Sequence, residues 1–184
     1  ADWLKANGSK PFFLFLHGYD VHGQYELPES IRSSIAYKGT MNGSIEEQGK
    51  LREQGLANIT EPGTRSHLHG VLNDADSAYL AKVYDLKVKA ADERMGQFVS
   101  QLKTMGLYDN SVIVVFSDHG DEFMEHDGID HGATLYQEQL HVVSMIRFPG
   151  YGRRQDIQAP IRTLDLFPTV FDALGIQGPA RVDG

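Results

Sequence analysis

Short unbroken apolar runs alternate along this chain with longer polar or periodic segments. The run PFFLFLH, Pro11 to His17, is bounded by turn residues, which is the pattern of a strand covered on both faces. NSVIVVFS (110–117) and VSMIRF (143–148) repeat it, the latter closed by Pro149-Gly150. Between the first two runs, Leu80, Tyr84, Lys87, Ala91, Met95, Phe98 and Leu102 recur at spacings of three and four. That spacing predicts a long amphipathic helix, with Asp74 or Asp76 as its cap and Gly106 as its stop. A short helix is expected in ATLYQEQLHV (133–142) and another after Thr163, with Leu166, Val170 and Leu174 on one face. Pro168 falls near the first turn of that last helix, where its ring is tolerated. Helices alternating with buried strands predict an α/β fold, a layered sheet flanked by helices.

Residues 26–76 break this rhythm, being rich in Gly, Asn, Ser and charge with brief apolar groups. They read as a long, partly helical insertion in a single domain, and such insertions often carry function. A chain of 184 residues can bury roughly two thirds of its unfolded surface without disulfide or metal support. The opening ADWLKANGSK reads as the end of a helix closed by Asn7-Gly8, and ARVDG stops without a closing element. Both ends are therefore expected to be cuts through a larger protein.

Charge and composition remove several function classes. A net charge of −8, from 17 basic against 25 acidic residues, argues against a general nucleic-acid binder, which relies on Lys and Arg. The absence of cysteine excludes a disulfide framework, a thiolate zinc site and a cysteine nucleophile within the chain. Phe12 to Leu16, as long as any apolar run in the chain, is far short of the roughly 20 residues that span a bilayer. No phosphate-binding glycine loop, H-E-x-x-H pair or G-x-S-x-G elbow occurs.

The chemistry concentrates in VVFSDHGDEFMEHDGIDHG, Val114 to Gly132, which sets four Asp, two Glu and three His directly behind an apolar run. Charges near a core cost free energy unless they are paired or bind metal. In open α/β sheets, functional groups gather beyond the carboxyl ends of strands. Asp118 and His119 occupy that position after one run, and His17, Asp20 and His22 after another. Asp118 offers a hard oxygen and His119 a neutral nitrogen, a pair suited to calcium, magnesium, manganese or zinc according to the remaining ligands. The competing structural reading makes Asp118 a loop cap and His119 a satisfied, half-buried histidine. His131, before Gly132, and His22 carry the same two readings, catalytic group or loop residue. Glu122, Glu125, His126 and Asp127 read as loop charge or outer support, His141 as structural, and His67-x-His69 as a weak metal pair.

Taken as a set, PFFLFLHGYDVHGQY, YDLKVKAADERMGQFVSQLKTMGLYDNSVIVVFSDHGDEF, DHGATLYQEQLHVVSMIRFPG and RTLDLFPTVFDALG resemble, in order, the C-terminal part of the sulfatase catalytic domain. That family belongs to the alkaline phosphatase superfamily. The resemblance implies an alkaline-phosphatase-like but incomplete fold, one partial catalytic domain over 1–184, and hydrolysis of sulfate esters. It implies that Asp118 and His119 hold a divalent metal, calcium foremost, with manganese, magnesium or zinc as alternatives. It makes His22 the histidine that contacts the sulfuryl group and protonates the leaving oxygen, and His131 a second sulfate contact. Val21 and Gln24 stand where the family often has proline.

The family's other metal aspartates and its nucleophile, a cysteine or serine converted to formylglycine, precede this region. The closest imitation, TEPGTR at Thr60 to Arg65, has its arginine one residue late. The chain is thus expected to lack a nucleophile and to be inactive alone. Its apolar edge is expected to be exposed and available for self-association, and the resemblance suggests a periplasmic or extracellular home. Two other functions stay open: a phosphonate or phosphodiester hydrolase or phosphoglycerol transferase of the same superfamily, and a non-catalytic, metal-stabilised binding domain.

Overall fold

A computed structural model describes residues 2–22, 26–59, 68, 70–132, 134–179 and 181–183. The first helix, α1 (Asp2–Asn7), is followed by α2 (Glu29–Arg32), α3 (Ile45–Ile59) and the long α4 (Asp74–Thr104). Then come β1 (Ile113–Phe116), β2 (Glu122–Phe123), β3 (Ile129–Asp130), α5 (Gln137–Leu140), β4 (Ser144–Arg147) and α6 (Leu166–Ala173). The chain forms two compact units, one of Ala1–Ser9, Val99–Asp118 and Val142–Gly184, the other of Lys10–Phe98 and His119–His141.

The second unit has a core of Met41, Leu51, Leu68, Leu72, Tyr79, Leu80, Val83 and Ile129. Four of these eight come from the stretch that reads as an insertion, so that stretch builds the unit rather than decorating it. Its contribution also widens the buried face of α4. The spacing of three and four picks out Leu80 and Tyr84, whereas Tyr79 and Val83 are buried beside Leu80. The start of α4 is capped by Asn73, not by Asp74 or Asp76. The Asn73 Oδ1 accepts from the backbone N–H of Ala75 at 2.8 Å and of Asp76 at 3.2 Å, and the Asp76 Oδ2 accepts from Asn73 N–H at 3.0 Å. This reciprocal arrangement satisfies donors that a helix start leaves unpaired. Asp76 also accepts from the Tyr37 hydroxyl. Burial, reinforced by that bond, pushes the Tyr37 phenol up to about 12.

The first unit holds the antiparallel pair β1 and β4, with Val114 opposite Ile146. Arg147 on β4 donates to the carbonyls of Tyr108 and Ser111 at 2.8 and 3.0 Å, pinning the loop that enters β1. That loop leaves α4 through Gly106, whose φ of +69° is a left-handed conformation. Leu107 N–H reaches back to the Leu102 carbonyl at 2.9 Å and Gly106 N–H to Lys103 at 3.0 Å, the double bond that closes helices at such a glycine. The stop expected at Gly106 is therefore observed. Leu4, Leu102 and Leu166 are buried in this unit.

Pro11–Leu16 corrects the expectation of a buried strand. It forms no strand ladder, and Phe13 and Phe15 are 83% and 62% exposed. An unbroken apolar run signals the burial a segment needs, while the covering layers must come from elsewhere. The mixed α/β composition is as expected, with a smaller sheet: two-stranded antiparallel ladders β1–β4 and β2–β3 among the described residues.

Candidate active site

Three histidines far apart in sequence meet in the second unit. The rings of His119 and His131 stack with centroids 3.6 Å apart. His22 stands edge-on to both, at 5.9 Å from His119 and 5.0 Å from His131. One ring nitrogen from each lies within 4.8 Å of the others.

Each histidine is held by the local fold. His22 ends the stretch after the first apolar run, and its backbone carbonyl accepts from Lys87 Nζ on α4 at 2.8 Å. Burial holds the Lys87 ammonium below its ordinary pKa, with the Asp121 carboxylate opposing that shift. Asp20 in the same stretch pairs with Arg94. His119 Nδ1 lies 3.0 Å from the Gly120 carbonyl. Gly120 is required there because a Cβ would stand 2.1 Å from the Glu138 carbonyl oxygen.

His131 follows β3, and its Nδ1 lies 2.8 Å from Asp121 and 2.7 Å from Asp130. The Asp121 side chain is only 3% exposed and is also 3.9 Å from His119 Nδ1. Burial, aided by Asp121, raises the Tyr84 phenol.

The acidic loop between His119 and His131 folds around Glu122, which is 1% exposed. Its Oε1 accepts from His126 N–H at 2.9 Å and Gly128 N–H at 3.2 Å, and its Oε2 from Gln139 Nε2 at 3.1 Å. Gln139 in turn accepts from Gly132 N–H at 3.0 Å, tying the residue after His131 to α5. Glu122 is thus the loop's interior anchor rather than surface charge. Asp121 and Gln139 are absent from the sequence-based candidates, and Glu122 stands among them only as loop charge or outer support. A carboxylate between two metal-competent histidines was the available signal for Asp121, but nothing in the sequence separates a buried Glu from an exposed one in so acidic a loop.

Asp118 closes the first unit as an exposed carboxylate just beyond β1. His126 faces Glu138 at 3.3 Å and stacks on Tyr136. His141 is exposed after α5. His67, His69, Gln24 and the Thr60–Arg65 stretch lie outside the described residues.

A family model described as Sulfatase matches residues 1–176, and the chain belongs to the sulfatase family. It is 28% identical to bovine (Bos taurus) arylsulfatase K, a match covering 100% of this chain and 36% of that protein. It is 29% identical to an endo-4-O-sulfatase of Bacteroides thetaiotaomicron, over 99% of this chain and 34% of that one. Among solved structures, a phosphonate monoester hydrolase from Silicibacter pomeroyi superimposes with a TM-score of 0.60 at 26% identity, covering 83% of this chain and 31% of that chain. The fold is therefore mixed α/β of the alkaline-phosphatase type. The chain spans about a third of the length of these relatives.

The family suggests a divalent metal, and the donor chemistry fits one. Besides the three histidines, Asp121, Asp130 and His131 bring two carboxylates and an imidazole within 4.8 Å of one another. Among the described residues no helix is long and apolar enough to cross a membrane.

Proposed function

We propose that these residues form the leaving-group side of a metal-dependent site that hydrolyses sulfate esters. The meeting of His22, His119 and His131 within a chain of the sulfatase family carries this reading. Asp118 and His119, consecutive in the chain, would hold a divalent cation, calcium foremost. A bound cation would polarise the non-bridging oxygens of the ester. His22 and His131 contact the sulfuryl oxygens, and His22 gives its proton to the departing oxygen. The nucleophile is not among these 184 residues, and the chain alone hydrolyses nothing well. Both units belong to one partial catalytic domain, a view supported by a family match that runs through both. An extracytoplasmic home is part of the same proposal.

The likeness to a phosphonate monoester hydrolase favours one second reading, phosphonate or phosphodiester hydrolysis at the same site. A direct comparison decides between them: kcat/KM of the full gene product on a chromogenic aryl sulfate against the matching aryl phosphonate monoester. The sulfate is expected to be the better substrate, and a reversed preference would transfer the assignment to the phosphonate. A non-catalytic binding domain receives less support, because Phe13, Phe15 and Leu16 remain exposed where a self-sufficient domain would cover them. Self-association through that segment is expected. Sedimentation should show apparent mass rising with concentration and falling in Phe13→Ser, and a concentration-independent monomer would contradict it.

A further inference from the structure

We infer that His22, His119 and His131 form a three-imidazole site that binds a divalent cation of the zinc class in preference to calcium or magnesium. This inference stands on the cluster's geometry and needs neither sulfatase activity nor a hard cation at Asp118. Zinc binds imidazole nitrogen at about 2.0–2.1 Å, so two nitrogens in a tetrahedral site lie about 3.4 Å apart. The three ring nitrogens here already lie within 4.8 Å of one another. Ring rotations, open to His22 because its side chain is exposed, would bring them to bonding geometry.

The tautomers suit the task. His119 Nδ1 donates to the Gly120 carbonyl at 3.0 Å and His131 Nδ1 to the Asp121 carboxylate at 2.8 Å. A proton on Nδ1 leaves the Nε2 lone pair of these two rings as the one open to a cation. A carboxylate behind a ligating histidine fixes its orientation and raises its basicity, so Asp121 is a positioning residue for His131. Asp130, 2.7 Å from the same nitrogen, adds a second negative charge behind the cluster. Neutral imidazole suits zinc, copper, nickel and cobalt, whereas calcium seeks six to eight oxygens, which three imidazoles do not provide. Such a cation would occupy His22 and His131, which the proposed hydrolysis uses on the sulfuryl group, and His119, which it uses on the hard cation, making it an inhibitor of that chemistry.

The test uses the whole 184-residue chain, stripped of metal and titrated with Co²⁺, with visible d–d absorption as the readout. The expected result is a saturable tetrahedral-type spectrum, abolished by Zn²⁺ and unaffected by Ca²⁺. His22→Ala and His131→Ala should each weaken binding by about tenfold or more, and Asp121→Asn by about ten- to a hundredfold. Far-UV circular dichroism checks that each variant is folded. His22, on the exposed loop, keeps the test sound if His131→Ala does not fold. His126→Ala and the double variant His67→Ala/His69→Ala should bind normally. Cobalt binding that survives His22→Ala and His131→Ala, disappears in the His67/His69 double variant, or yields to calcium as readily as to zinc would overturn the inference.

Discussion

His22→Ala in the full gene product is expected to lower kcat/KM for an aryl sulfate by about 10²- to 10⁴-fold, the range typical of a lost general acid. That corresponds to about 3–5 kcal/mol of transition-state stabilisation. Proton donation to the departing oxygen stabilises charge that develops as the S–O bond breaks, so the loss depends on the leaving group. A phenol already made acidic by nitro groups needs little help, and an alkyl alcohol needs much. The effect should therefore grow as the leaving-group pKa rises, steepening the dependence of rate on leaving group. A uniform loss across leaving groups would instead mark His22 as a binding contact, and an unchanged rate would remove it from the site. The structure makes the variant informative, since His22 sits exposed among His119 and His131 and its removal leaves the core untouched.

Glu122→Ala is expected to cost about 2–5 kcal/mol of folding stability, read as a lowered urea midpoint at constant slope. The carboxylate holds the backbone N–H groups of His126 and Gly128 and the Gln139 amide at 2.9–3.2 Å from a 1% exposed position. Alanine leaves the half-buried N–H groups of His126 and Gly128 without that acceptor and the buried Gln139 amide with Thr134 Oγ1 alone, and unpaired burial costs more than a lost bond. Glu122→Gln should fall between, because one oxygen remains while the other becomes a donor facing donors. The loop so anchored carries His119 at one end and His131 at the other, so the variant should also weaken metal binding at the histidine cluster. A midpoint within error of the parent would show that the acidic loop holds its shape by other means.

Helix positions were legible because they depend on contacts a few residues apart. The spacing of Leu80 through Leu102 and the glycine at 106 give α4 and its stop, and the runs at 110–117 and 143–148 give β1 and β4, although neither strand is covered on both faces as expected, with Phe116 and Met145 exposed. The cap was missed by one to three residues, since Asn73, Asp74 and Asp76 are all capable caps and hydrogen-bond geometry selects among them. Pro11–Leu16 was misread because its composition states a need for burial, whereas exposure depends on which strands lie beside it.

The candidate site divides along the same line. By itself the sequence determined that this is a sulfatase-family α/β chain, with Asp118 and His119 as candidate metal ligands and His22 and His131 as candidate catalytic groups, because residue identity and order carry that information. Only the tertiary structure decided that those three rings meet, that Asp121 stands behind His131, and that Glu122 is buried. The first joins residues distant in sequence, and the other two follow from how the acidic loop folds on itself, with Asp121 2.8 Å from His131 and Glu122 held by His126, Gly128 and Gln139. No local periodicity records such a contact, and charged side chains of identical composition become anchor, orienter or solvated surface according to what the fold places beside them.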